Sequence, residues 1–86
     1  MASIQEVVDT THRIRENARG LGQRTTSSAG DLQRRGMALA ALVRGSRTGE
    51  NAVRQVQQAE RDLRAASASL LALQRDIDTF TRELTK

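Results

Sequence analysis

Apolar residues recur every three or four positions through the second half of the chain. Such an alternating spacing averages 3.5 residues and keeps one apolar stripe facing a partner helix in a left-handed coiled coil. The pattern therefore predicts a helix over residues 49–85 with an apolar seam along its length. The predicted seam of this helix consists of Ala52, Val56, Ala59, Leu63, Ala66, Leu70, Leu73, Ile77, Phe80 and Leu84.

The first half carries the same spacing and predicts a helix over residues 3–44. Ser3 followed by Glu6 has the layout of a capping box. The pattern is weaker in the middle, where glycines occur between residues 20 and 36 and a polar run occupies residues 23–30. A loop at residues 23–30 that splits the helix is therefore an alternative. A helix that is either continuous or kinked near residues 20–30 is favoured because the spacing stays in register on both sides. The predicted seam includes Ile4, Val7, Ile14, Leu21, Leu32, Leu39 and Leu42, and Arg35 falls on the same series.

The clearest break between the two patterns is the segment Gly45-Ser46-Arg47-Thr48. Gly45 suits the left-handed position that often follows a helix, and Ser46 or Thr48 suits the N-cap of the next one. A connection this short between two long helices makes them antiparallel. The predicted fold class is all-α, with residues 1–86 forming one domain, a long antiparallel two-helix hairpin.

Several apolar residues fall outside the predicted seam. A helix that is apolar on more than one face needs more than one neighbour, so we expect a second hairpin to complete a four-helix bundle. The alternative is that the alanines only favour helix and that Leu71 is a tolerated exposed residue. The predicted partner interface consists of Val8, Met37, Ala40, Val43, Ala65, Ala68, Leu71 and Ala72.

The composition offers little catalytic chemistry. There is no cysteine and only one histidine, so neither a disulfide nor a histidine-rich metal site is expected to stabilise this small chain. His12 has acidic neighbours at helical spacing but no nucleophile beside it, and we interpret it as a solvated surface side chain. No catalytic residue, metal site or cofactor is predicted, and we expect the protein not to be an enzyme.

The net charge of +4 rests on thirteen arginines and one lysine. Residues 10–47 hold eight arginines and only two acids, a concentration that nucleic-acid binding requires. These arginines fall at several different heptad positions, and Phe80 is the single aromatic residue, so no base-stacking platform is present. Nucleic-acid binding is therefore the alternative function, carried by Arg13, Arg15, Arg19, Arg24, Arg34, Arg35, Arg44 and Arg47.

The sequence also bears on location. No apolar run approaches the length of about 20 residues that crosses a bilayer, so no membrane span is expected. Residues 1–9 lack the basic and apolar regions of a cleavable signal peptide. The expected location is cytoplasmic, with signal-peptide-independent export left open.

Val43-Arg44-Gly45 at the mid-chain turn and Asn51-Ala52-Val53 at the start of the second helix carry a family resemblance. The chain resembles the small Trp-x-Gly helical-hairpin proteins of type VII secretion in Gram-positive bacteria. Val43 stands where that family has tryptophan, and Phe80 is followed by Leu84 where the family has Tyr-x-x-x-acid. The resemblance implies a small secretion-associated bacterial protein that dimerises, pairs with a related helical protein, or serves as partner or chaperone of a larger secreted protein.

Overall fold

The computed structural model describes residues 3–85, which form two helices packed side by side. Helix α1 spans Ile4–Leu42 and helix α2 spans Arg47–Leu84. The hairpin measures 62 × 20 × 13 Å, and the described residues contain no strand. The predicted all-α antiparallel hairpin is therefore confirmed.

Serine side chains cap the N-termini of both helices. The Ser3 hydroxyl accepts a hydrogen bond from the Glu6 backbone N–H at 3.1 Å, and the Ser46 hydroxyl accepts one from Gly49 at 3.1 Å. Gly45 has a φ of +83° and turns the chain between the helices. Because Ser46 is the cap, α2 begins at Arg47, two residues earlier than predicted.

Helix α1 runs without interruption through residues 20–30. The alternative of a loop at residues 23–30 is therefore wrong. Two hydroxyl groups instead bond within the hairpin: Thr25 Oγ1 donates to the carbonyl of Leu21 at 2.6 Å, and Thr26 Oγ1 lies 2.6 Å from Ser67 Oγ on α2. The second bond joins the weak part of α1 directly to the other helix.

The two helices contribute side chains of different size to the seam. The buried residues of α1 are Ala18, Thr25, Ala29 and Gly36, whereas Val53 is the buried residue of α2. A Cβ atom on Gly36 would lie only 3.1 Å from Cγ1 of Val56. Small residues on α1 thus let the larger side chains of α2 approach its backbone closely.

The seam differs from the prediction at alternate positions. Eight of its fourteen predicted large residues are half-buried: Val7, Leu32, Leu39, Val56, Leu63, Leu70, Ile77 and Leu84. The other six are exposed, which makes their assignment to the seam wrong: Ile4, Ile14, Leu21, Leu42, Leu73 and Phe80.

The difference amounts to a rotation of each helix by less than one residue, because every second seam position is kept and the others move to the next residue. Half-buried or buried Arg15, Gly22, Ala29, Gly36 and Val43 take the places predicted for residues 14, 21, 28, 35 and 42. The spacing alone does not choose between these neighbouring stripes, and on α1 the predicted stripe has Leu21 where the observed one has Gly22. Close backbone approach, which brings more atoms into van der Waals contact, favours the stripe of small residues.

Candidate interaction surface

One broad face of the hairpin carries the exposed large side chains Ile14, Leu21, Leu73 and Phe80. We call it the apolar face. It consists of two stripes at seven-residue intervals, one on each helix, and all of its members except the half-buried Val7 are exposed. Seven residues are two turns of a helix in a coiled-coil pair, so each stripe keeps one orientation along the hairpin. The stripes are Val7, Ile14, Leu21, Ser28, Arg35 and Leu42 on α1, and Ala52, Ala59, Ala66, Leu73 and Phe80 on α2.

The opposite broad face, which we call the polar face, carries three side-chain contacts between the helices. Arg15 Nε donates to Asp78 Oδ1 at 2.6 Å near the open end of the hairpin. The Thr26–Ser67 contact lies in the middle. Arg64 donates to Gln33 Oε1 at 3.1 Å toward the turn. These contacts fix the register of the two helices.

Five residues of the predicted partner interface line recesses between the two helices: Val8, Met37, Ala40, Ala68 and Leu71. Val8 and Val43 are half-buried in the seam, while Met37 and Leu71 are exposed. Met37 lines a recess of about 250 Å³ together with Gly36 and Val56. Leu71 and Ala68 line a separate recess of about 460 Å³ beside Gly22. Ala40 is half-buried, and Ala65 and Ala72 are exposed on the outer side of α2.

The arginines predicted as a nucleic-acid surface are dispersed. Arg15 is half-buried and pairs with both Glu16 and Asp78, and Arg34 pairs with Asp31. Arg35 lies on the apolar face and Arg19 lines the recess beside Leu71. Arg13, Arg24, Arg44 and Arg47 are exposed. The eight side chains therefore do not form one continuous basic strip.

A further recess lies near the open end of the hairpin. It has a volume of about 540 Å³ and is lined by His12, Asp9, Arg15 and Asp78, among others. Both carboxylates are engaged elsewhere, since Asp9 accepts from Gln5 and Asp78 accepts from Arg15. In residues 3–85 no hydrogen bond joins His12 to either acid, and no group of three or more acidic, histidine or cysteine residues is arranged to hold a metal ion.

The apolar face could have been predicted from the positions of the small residues on α1. The seven-residue series Gly22, Ala29 and Gly36, with Ala18 and Thr25 beside it, places small residues on one side of α1. A stripe of small residues marks the side where helices approach most closely, so the bulkier stripe next to it is left for another neighbour.

Neither helix of the described chain is long and apolar enough to cross a membrane. No family model, curated protein or solved structure matches this chain. The functional interpretation therefore rests on the two faces of the hairpin and on the charges around them.

Proposed function

We propose that this chain is a non-enzymatic helical interaction module whose apolar face packs against a second helical hairpin to complete a four-helix bundle. The observation that carries the proposal is the pair of exposed apolar stripes on one face. The polar face, by contrast, is joined across the helices by hydrogen bonds. A partner that covers the apolar face removes Ile14, Leu21, Leu73 and Phe80 from water without disturbing those bonds.

The need for a partner also follows from the small size of the core. In residues 3–85 the buried apolar residues are Ala18, Ala29 and Val53, and no large side chain is fully buried. Small chains without disulfides or metals usually obtain the missing stability from oligomerisation. Burial of apolar surface contributes about 25 cal/mol per Å². Covering four large side chains on one face would therefore contribute substantially to the free energy of association.

A second copy in head-to-tail orientation is the partner that best complements the apolar face. The half near the open end carries Ile14, Leu21, Leu73 and Phe80, whereas the half near the turn carries mainly alanine and serine before Leu42 at its tip. Head-to-tail packing places large side chains over small ones along most of the face. Packing in the same direction instead brings Arg35 of one copy toward Arg35 of the other, which is unfavourable.

Leu73 and Leu71 provide a matched test, because they are similarly exposed, at 40% and 48%, but lie on opposite faces. We expect Leu73→Glu to lower the dimer fraction by about tenfold or more, since a charge in an apolar interface is costly. Leu71→Glu is expected to leave the dimer fraction unchanged. Sedimentation equilibrium at micromolar concentrations measures both variants against the unmodified chain.

Two results would contradict this assignment. If Leu71→Glu rather than Leu73→Glu lowers the dimer fraction, the partner binds the residues predicted from sequence and not the apolar face. If the unmodified chain is strictly monomeric and fully helical at micromolar concentration, the hairpin does not need a second one.

Within this role we include secretion as the finer proposal: the module pairs with a related helical protein or with a larger secreted protein, as in type VII secretion. The support is the two-helix layout with a tight mid-chain turn in which Gly45 has positive φ. Purification from the native host, with the mass of the complex determined, tests this part. Recovery of the chain as a pure homodimer in cells that secrete proteins by this route would remove the secretion proposal and leave the interaction module.

A further inference from the structure

The outer side of α2 carries a regular stripe of arginines along the edge that borders the polar face, where Arg82 lines the same recess as His12. Every seventh residue from 47 to 82 is arginine except Ala68, and all six positions are exposed. Seven residues correspond to about 10.5 Å along a helix. We call the arginines Arg47, Arg54, Arg61, Arg75 and Arg82 the arginine stripe.

Among residues 3–85 no carboxylate forms an ion pair with the arginine stripe. The ion pairs among residues 3–85 involve only Arg15, Arg34 and Arg64. Stripe members instead donate to neutral oxygens three residues earlier: Arg54 to Asn51, Arg61 to Gln58 at 2.9 Å, and Arg82 to Thr79 at 3.4 Å. These acceptors hold the guanidinium groups in place but leave their charge available.

A neutral stripe and an acidic stripe follow around the helix. The neutral stripe is Asn51, Gln58, Ala65, Ala72 and Thr79, all exposed. Beyond it lie Asp62, Asp76 and Glu83, each one residue after a member of the arginine stripe. The outer side of α2 therefore has a basic edge, a neutral centre with two alanines, and an acidic edge.

This arrangement favours another helix over a polyanion as the ligand. Residues 47–84 contain six arginines and six acids, so α2 as a whole has no net charge with which to attract nucleic acid or an anionic membrane. Charges sorted onto opposite edges of a helix are instead the pattern that selects a helical partner and its orientation.

We infer that the outer side of α2 pairs with the same surface of a second copy, with the two α2 helices parallel and in register. In parallel packing, the basic edge of each helix faces the acidic edge of the other. Arg61, Arg75 and Arg82 then meet Asp62, Asp76 and Glu83 of the second copy, and the two-fold symmetry repeats each pair.

Antiparallel packing fails on the same charges, because it places each basic edge against the other basic edge. The neutral centre contains Ala65 and Ala72, whose small side chains allow two helices to approach. This surface is distinct from the apolar face, so both can be occupied together, and pairing through both links dimers into a larger assembly. The inference does not depend on the proposed function.

The chain has no cysteine, which makes single-cysteine crosslinking a clean test. Parallel pairing in register brings residue 72 next to its counterpart, so the full-length Ala72→Cys variant is expected to form disulfide dimers under mild oxidation. Gln57→Cys is the matched control, because residue 57 is exposed on the polar face. Crosslinking at residue 72 that is no faster than at residue 57 would overturn the inference.

Charge exchange then tests the orientation. In the Ala72→Cys background, Arg75→Asp alone or Asp76→Arg alone should slow crosslinking by about tenfold, since each replaces two attractive contacts by two repulsive ones. The double exchange Arg75→Asp with Asp76→Arg restores opposite charges and should return the rate to within about twofold of the Ala72→Cys variant. A double variant as slow as the single ones contradicts the parallel pairing.

Two further experiments distinguish this pairing from pairing through the apolar face and from polyanion binding. Leu21→Glu on the apolar face should leave crosslinking at residue 72 unchanged even if it disrupts the proposed bundle, so the two proposals fail independently. Duplex DNA or vesicles with anionic lipid are added at low salt to the Ala72→Cys variant. If either binds, and Arg54→Gln with Arg61→Gln abolishes that binding, the arginine stripe is a polyanion site and the inference is wrong.

Discussion

The two helices of the hairpin reach the same seam by different means. The buried positions of α1 hold alanine, threonine and glycine, whereas the buried position of α2 holds valine. Half-buried leucine and valine side chains flank these positions on both helices. The Gly36–Val56 and Gly22–Leu70 approaches show how these sets meet, with side chains of α2 lying against the backbone of α1. The buried positions of α1 must therefore stay small so that side chains of α2 can approach its backbone. A substitution that adds bulk should destabilise the hairpin more at these positions than elsewhere on α1.

The largest effect should come from adding bulk to α1. Ala29 has no exposed surface, so Ala29→Leu forces a large side chain into a fully buried position of the seam. We expect the free energy of unfolding to fall by about 3 kcal/mol. Urea denaturation followed by circular dichroism measures the change at one fixed protein concentration, because pairing also affects apparent stability.

Ala38→Leu is the matched control for Ala29→Leu. Ala38 lies on the same helix but is exposed, and a leucine there keeps strong helix propensity. An equal loss of stability in both variants would show that α1 is not specially intolerant of bulk at its buried positions.

The second effect concerns Gly49 in the first turn of α2. A Cβ atom there would lie 2.9 Å from Cγ1 of Val43 and closer still to its Cβ, which is fixed to the backbone. We expect Gly49→Ala to destabilise the hairpin by about 2 kcal/mol, after the gain in helix propensity is subtracted. Thermal unfolding of the variant should give a clearly lower midpoint; an unchanged midpoint would mean that the turn adjusts freely.

A smaller effect distinguishes Gly36 from Gly30. Gly36→Ala places a Cβ 3.1 Å from Val56 Cγ1, and the β-branched Val56 has little freedom to move away. The expected loss is about 1 kcal/mol. Gly30 has only the flexible end of Arg34 nearby, so Gly30→Ala should stabilise by about 1 kcal/mol. Denaturation midpoints that shift in the same direction for both variants would remove the distinction between the close approach and open positions.

These contrasts also show what the sequence could predict. The three-four spacing sufficed for two long antiparallel helices, and Ser3 and Gly45 marked real boundaries. It did not suffice for the seam, because Leu21 and Gly22 are adjacent and the spacing allows either to face α2. Backbone approach decides between them, and that is a property of both helices together.

The outer charge pattern illustrates a second limit. An i,i+4 rule predicts that Asp78 pairs with Arg82 and Glu50 with Arg54. In the structure Asp78 instead binds Arg15 of α1, and Arg54 and Arg82 donate to neutral side chains. Contacts between helices compete with contacts along one helix, so the partners of exposed arginines do not follow from local spacing.

The smallest expected effect lies at Arg15, where the seam of α1 departs from small residues. Its guanidinium is half-buried and donates to Asp78 at 2.6 Å. We expect Arg15→Gln to cost about 0.5 kcal/mol, because an ion pair at this level of exposure is weakened by solvent. A double-mutant cycle with Asp78→Asn isolates the pair from other changes at the two positions. The coupling should shrink at high salt, since screening acts on exposed charges. A coupling that persists undiminished in high salt would instead indicate that Arg15 acts through packing of its aliphatic stem against α2, as the small residues of α1 do through close approach.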